Sequence, residues 1–309
     1  MGKMISNIVF TKNRPLQLDA YLESLYRYIP SEIIQTYVLY KVELFEQQYE
    51  QLFDKYRDCV VVREKDFHRD LLNILQGIST RYTLFGIDDV VYFDCVDFDV
   101  IDQTFSEHSE DIFGFSLRFG TENVKDGGDP ISETFVSGQR VYSLDWTQGR
   151  TPATRYPFEL CATIYPTPLL KKVIYHTMEN NLLVRKLFSP DSFFIRVLGR
   201  TKSRRKILKY FGYFFSPNTL ESWNCRWSQN HSEQLPGFLY FQKLCASAIQ
   251  VNMVNTSTNN VWDGTAEHTV ESLNEKYKED FRLDIDFISN NKPTEPHCGK
   301  ENFKLVKKN

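Results

Sequence analysis

Residues 7–87 alternate an apolar run with a helical repeat three times, then close on a fourth apolar run. No other feature of the chain limits its fold as much. The runs are residues 7–11 (NIVFT), 36–41 (TYVLYK), 59–64 (CVVVRE) and 82–87 (YTLFGI). They are short and rich in β-branched and aromatic residues, so each reads as a strand. Behind Pro15, a residue suited to the first helical position, Leu18, Leu22, Leu25 and Ile29 recur at helical spacing. Leu44, Tyr49, Leu52 and Phe53 mark a second helix over residues 43–56, and residues 66–78 form a third, capped by Asp66 or a neighbour. Strand–helix alternation argues for parallel pairing, because parallel strands need a crossover connection. The expected fold is α/β, with a mostly parallel central sheet flanked by helices.

Such sheets bind ligands beyond the carboxyl ends of their strands. The four ends fall at residues 12–14, 41–43, 63–66 and 88–89, and all are polar or charged. Four such ends side by side predict a polar cleft. Beyond Asp89 the pattern loosens. Residues 90–105 hold a short strand and helix, and 111–120 alternate as a strand. Residues 121–138, rich in Gly and Ser, read as a surface loop, and RVYSLDWT follows as a strand. Residues 158–176 read strand, turn, helix, with Pro166 and Pro168 at the junction. A helix starts near Thr219, a late strand lies near 247–254, and Leu273 and Tyr277 share a face of a last helix.

Composition excludes several classes. A net charge of -3 gives no general reason to expect a nucleic-acid partner. The six cysteines are far apart without a CxxC pair, so free thiols are expected and a zinc cluster is not. No uninterrupted apolar stretch is long enough to span a bilayer, and the first residues lack the apolar region of a signal peptide, so a cytoplasmic location is expected. No GxGxxG follows the first strand and there is no GxxxxGK[ST], which disfavours a dehydrogenase and a P-loop kinase.

The fourth run, LFGIDDVVY, ends on Asp88 and Asp89. Local spacing leaves two readings: an acidic turn, or a site for Mg2+ or Mn2+, hard ions that bind through one or two carboxylates plus substrate phosphates. The layout of IVFTKNRPLQLDAYLESL followed by this acidic strand end resembles the nucleotide-sugar glycosyltransferases of the GT-A fold. The later SPNTLESW and TAEHTVESLNEKYKE resemble segments of bacterial and viral glycosyltransferase-like proteins. The likeness is good over residues 8–94 and looser beyond 113. In that family the acidic motif is DxD, whereas this chain has DDV. Which carboxylate meets a metal is therefore open, and both are assigned.

The resemblance implies a GT-A-like fold with a Rossmann-like nucleotide-binding half (residues 1–110), an acceptor-binding and catalytic half (111–290) and a flexible tail (291–309). It implies a metal-dependent glycosyltransferase that moves a sugar from a nucleotide-sugar donor, UDP-sugar favoured, to a glycan or lipid-linked saccharide. Thr11, Asn13 and Arg14 would stand at the nucleotide edge, with Asp66, Arg69 and Asp88 also against the nucleotide. Asp88, Asp89 and a late histidine, His268, would hold the metal. An inverting transfer needs a base beside the acceptor hydroxyl. Glu221, near a helix start beside Trp223 and Trp227, is the first choice; Asp191 is the second, and Glu159 and Asp263 are weaker. Residues 185–215 interleave basic with apolar side chains, as a segment on an anionic membrane surface would. Two other functions fit the same pattern. A sugar-phosphate nucleotidyltransferase should carry a Gly-rich loop near the first strand, which TKNRP lacks; a non-catalytic nucleotide-sugar-binding protein would bind without turnover.

Overall fold

The computed structural model describes residues 2–107, 112–179, 192–193, 197, 206, 214–231, 237–254 and 263–308. Its N-terminal part runs β1 (Ile5–Lys12), α1 (Pro15–Tyr28), β2 (Ile34–Lys41), α2 (Glu46–Lys55), β3 (Val60–Arg63), α3 (Phe67–Gly77) and β4 (Tyr82–Ile87). These four strands are parallel and stand in the order β3-β2-β1-β4. β1 is buried at every residue but Lys12, as a central strand covered on both faces must be. Its side chains alternate between two cores. Ile5 and Val9 join the cluster built on α1, while Ile8 and Phe10 join the one built on α3.

The chain continues through β5 (Val90–Tyr92), α4 (Phe98–Glu107), β6 (Ile112–Ser116), α5 (Thr121–Asp126), β7 (Ser132–Val136), β8 (Gln139–Asp145), β9 (Thr163–Pro166) and α6 (Thr167–Glu179). Then come α7 (Pro217–Asn230), β10 (Gly237–Phe241), β11 (Ala246–Ile249), α8 (Val270–Lys278), β12 (Phe281–Leu283), α9 (Ile285–Asn290), β13 (His297–Cys298) and β14 (Leu305–Lys307). The main sheet extends to nine strands, β3-β2-β1-β4-β9-β6-β10-β8-β7.

Three expectations are corrected. The sheet is mixed rather than mostly parallel: β9 runs antiparallel to both β4 and β6, and β8 to both β10 and β7. Four of the eight ladders are thus antiparallel, because strands beyond β4 reach their neighbours by long-range pairing that no local period announces. The expected surface loop at 121–138 holds α5 and β7, the latter paired with β8 through a turn in which Ser137 and Gly138 take positive φ. The tail beyond Asn290 is tied in. β13 pairs with β11, β14 pairs with β12, and Phe303 is buried.

Asp19 on α1 explains how the C-terminal elements are held against the N-terminal ones. Its fully buried carboxylate accepts from Lys55 Nζ at 2.6 Å and Tyr56 OH at 2.8 Å on one oxygen. The other oxygen takes Arg282 Nε at 2.9 Å and Tyr277 OH at 3.1 Å. A buried charge is tolerable only when paired and hydrogen-bonded in this way.

Gly86, two residues before the acidic pair, lies under the Tyr21 ring, which a Cβ there would strike. Tyr21 is fully buried and its OH is held by Asn7 Oδ1 at 2.7 Å, so it has nowhere to go. Gly86→Ala is expected to cost about 1–3 kcal/mol in chemical denaturation, the usual range for overpacking a core.

Candidate functional site

The carboxyl ends of β1, β2, β3 and β4 meet at one cavity of about 750 Å³. Lys12, Lys41, Glu64 and the pair Asp88–Asp89 represent the four ends in its wall. Later elements complete the lining and include Phe119, Tyr156, Glu159, Phe215 and Glu221. His297 and Asn252 belong to it as well.

Asp88 and Asp89 form the two-residue turn between β4 and β5. The backbone there is fixed on both sides. Asp88 N donates to Phe10 O at 3.2 Å, and Ile249 N donates to Asp89 O at 2.8 Å. Asp88 Oδ1 accepts from Arg14 Nη1 at 2.8 Å, and its Oδ2 takes a longer bond, 3.4 Å, from Lys12 N. Asp89 Oδ2 lies 3.7 Å from the same Arg14 nitrogen. Its Oδ1 is buried and has no partner among the described residues. Burial pushes the Asp89 carboxyl up to about 6, aided by Asp88 and opposed by Arg14 and Arg118.

Arg14 itself is buried. Its backbone N donates to Tyr49 OH at 2.9 Å, and its Nη2 to Asn252 O at 2.6 Å. Burial works against its charge, and Asp88 and Asp89 more than offset this. Thr11 lines the cavity with its hydroxyl 2.8 Å from Tyr49 OH.

Glu221, also in the cavity lining, stands in the first turns of α7, whose start is capped by Ser216 with Pro217 at its first position. Glu221 Oε1 accepts from Leu160 N at 3.1 Å. Burial raises its carboxyl to about 7, with Glu159 adding to the rise and the Leu160 N–H and Arg118 opposing it. Arg118 is buried against Glu159, which also accepts from Thr163 and, at 3.4 Å, from Ser116. Arg118 Nη1 lies 3.1 Å from His297 Nε2. Arginine only donates, so that nitrogen accepts and the ring is neutral. Burial and Arg118 together lower His297 to about 4.

The cavity thus gathers Thr11, Arg14, Asp88, Asp89 and Glu221 from the residues expected at a site, and Glu159 from the weaker choices. The others stand elsewhere. Asn13, at positive φ, accepts Glu43 N and Leu44 N on its Oδ1 and so shapes the loop after β2. Asp66 caps α3 through Arg69 N at 2.9 Å, and Arg69 is exposed; neither is in the cavity wall. His268 is not brought to the carboxylates. Its Nδ1 bonds Thr265 Oγ1 at 2.9 Å and its ring packs on Phe303. Asp263 pairs with Lys300. Asp191 lies outside the described residues, as does most of 185–215. Among the described residues, no helix is long and apolar enough to cross a membrane.

Sequence reasoning missed Arg118, Tyr49, Asn252 and His297. Arg118 alone carried a signal, a charge at the end of an otherwise apolar strand. Tyr49 read as a core position of a helix, and His297 sat in a polar tail.

The donor set bears on the expected metal. Among the described residues no three His, Cys, Asp or Glu side chains converge as a metal cage. Two adjacent carboxylates with one unpartnered oxygen nevertheless fit Mg2+ or Mn2+, which take few protein ligands and complete their shell with water and phosphate.

No family model matches the chain. A curated relative, the bifunctional glycosyltransferase pgtA of Dictyostelium discoideum, is 24% identical over 181 residues, covering 51% of this chain and 23% of pgtA. Among solved structures, TarS of S. aureus aligns at 18% identity and a TM-score of 0.39 over 56% of this chain and 30% of TarS. The mannosyltransferase PcManGT of Pyrobaculum calidifontis, solved with GDP-Man and Mn2+, aligns at 10% identity and a TM-score of 0.30 over 40% of this chain and 37% of its own. The chain therefore spans about a quarter of the curated relative it matches. Over half its length it is similar in sequence to one glycosyltransferase, pgtA, and its own architecture is a large mixed α/β sheet flanked by helices.

Glu221 makes a testable demand on stability. Its carboxyl titrates near 4.5 when the chain is unfolded and near 7 when folded, so folding holds a proton there. That contribution is full below about 4.5 and is lost as pH rises through about 7. Glu221→Gln keeps an acceptor for Leu160 N and removes the charge. Its melting temperature should exceed the wild type's at pH 8 and match it at pH 4.

Proposed function

We propose that the chain is a metal-assisted glycosyltransferase, transferring a sugar from a nucleotide-sugar donor, a UDP-sugar in the first instance, to a glycan or lipid-linked saccharide. The observation that carries this reading is the cavity itself. Where four parallel strands end, it sets a carboxylate pair after β4 and an arginine after β1, and its wall also holds a partly buried glutamate that titrates near neutrality. The sequence likeness to pgtA supports the reaction class.

The roles follow from the chemistry. Transfer breaks the bond from the anomeric carbon to the diphosphate oxygen and makes one to the acceptor oxygen. The departing diphosphate gathers negative charge that needs neutralising. Arg14 offers it a guanidinium, whose paired N–H groups match phosphate oxygens. Lys12 and Lys41, each also in an ion pair with a glutamate, add positive charge along the same wall. A divalent ion held by Asp88 and Asp89 would supply Lewis-acid stabilisation of the leaving diphosphate. The acceptor hydroxyl loses its proton, and Glu221 is the group to take it. A carboxylate raised toward neutrality is a stronger base than an ordinary one and is still largely ionised above pH 7. Phe119, Tyr156 and Phe215 give the acceptor side apolar faces of the kind sugar rings pack against.

The test is calorimetric titration with UDP, GDP, CMP and dTDP, each with and without Mn2+. One nucleotide should bind, less tightly without metal and not at all to Asp89→Ala. Failure of all four to bind the folded protein would end the nucleotide-sugar reading. For the base, Glu221→Gln should retain nucleotide binding and lose about 100-fold or more in transfer rate. Wild-type transfer should fall as pH drops through about 7, where Glu221 takes up its proton.

A further inference from the structure

The carboxylate pair already holds a cation, and that cation is a side chain. Arg14 Nη1 lies 2.8 Å from Asp88 Oδ1 and 3.7 Å from Asp89 Oδ2. Its Nη2 is anchored on Asn252 O, and the side chain is only 8% exposed. Two buried atoms here lack partners among the described residues: Arg14 Nε, a donor, and Asp89 Oδ1, an acceptor. Their senses are opposite. One calls for an acceptor oxygen, the other for a donor or a cation. A diphosphate bound together with a divalent ion supplies both.

We infer that Arg14 is a resident counter-ion, drawn off the carboxylates by the donor's diphosphate, so that the divalent ion enters with the nucleotide rather than before it. The inference rests on the reading of Asp88 and Asp89 as metal ligands and deepens it. With Arg14 in place, the two carboxylates and the guanidinium sum to one negative charge, and one oxygen of Asp88 is taken. A divalent ion arriving alone must compete with a fixed guanidinium for Asp88. A diphosphate offers Arg14 a bidentate partner of its own, which frees Asp88. Each ligand then raises the affinity for the other by the same factor.

The experiment follows free Mn2+ by electron paramagnetic resonance as it is titrated into the full chain. It is run alone and with saturating UDP or, in parallel, GDP. The wild type should bind Mn2+ at least about tenfold more tightly with one of the nucleotides, a coupling in the ordinary range for linked sites. Arg14→Met should bind Mn2+ alone at least about tenfold more tightly than the wild type, and its coupling should fall below about threefold. Arg14→Lys, which keeps the charge and loses the fork, should lie between them. Equal Mn2+ affinity with and without either nucleotide overturns the inference and leaves the metal site standing. Absence of Mn2+ uptake under every condition overturns the metal reading and the inference with it. The wild-type coupling is read without any variant, so a variant that fails to fold does not shelter the idea.

Discussion

The buried ion pair between Arg14 and Asp88 joins the carboxyl ends of two neighbouring strands, and the cavity is arranged around it. Arg14 leaves β1 just before α1, and Asp88 leaves β4 into the turn toward β5. Neither would be placed without the parallel register that sets Ile5 beside Tyr82 and carries both strands to the same edge. A buried pair of this kind is a poor source of net stability, since desolvation offsets much of its attraction. Removing one partner is nonetheless expensive, about 3–5 kcal/mol, because a charge is left alone. Such pairs are costly to keep for stability only, which is one reason to look for a ligand that uses them.

The pair also organises what lies beyond the N-terminal strands. Asn252, from the segment after β11, accepts from Arg14, and the backbone of Asp89 accepts from Ile249. β11 in turn carries β13, which sets His297 against Arg118. A chain of backbone pairings thus runs from the acidic turn to His297 in the cavity lining. Its last link is the C-terminal segment, whose register puts a neutral imidazole where a charged one would repel the arginine.

How much of this was legible in the sequence depends on the range of the interaction. β1 to β4 and their helices were readable because local apolar periodicity is enough to identify them, and Pro15 and Asp66 mark helix starts. The acidic turn stood out because two charges end an apolar run. Glu221 stood out near an expected helix start at Thr219, with Trp223 and Trp227 beside it. The insertion of antiparallel β9 between β4 and β6 was not, because strand pairing over such separations leaves no period in the chain. Nor was the tail, whose polar composition hides a few pairings and one buried phenylalanine. Asp66 serves the backbone as the helix cap its position suggested, and Asn13 serves it as a loop brace that no local pattern announced.

The most direct test of the account is a crystal structure grown with Mn2+ and whichever of UDP or GDP binds, with anomalous data at the manganese edge. The account predicts an anomalous peak at the Asp88–Asp89 carboxylates, with the diphosphate against Arg14. A nucleotide bound outside this cavity, or manganese bound away from Asp88 and Asp89, would contradict it.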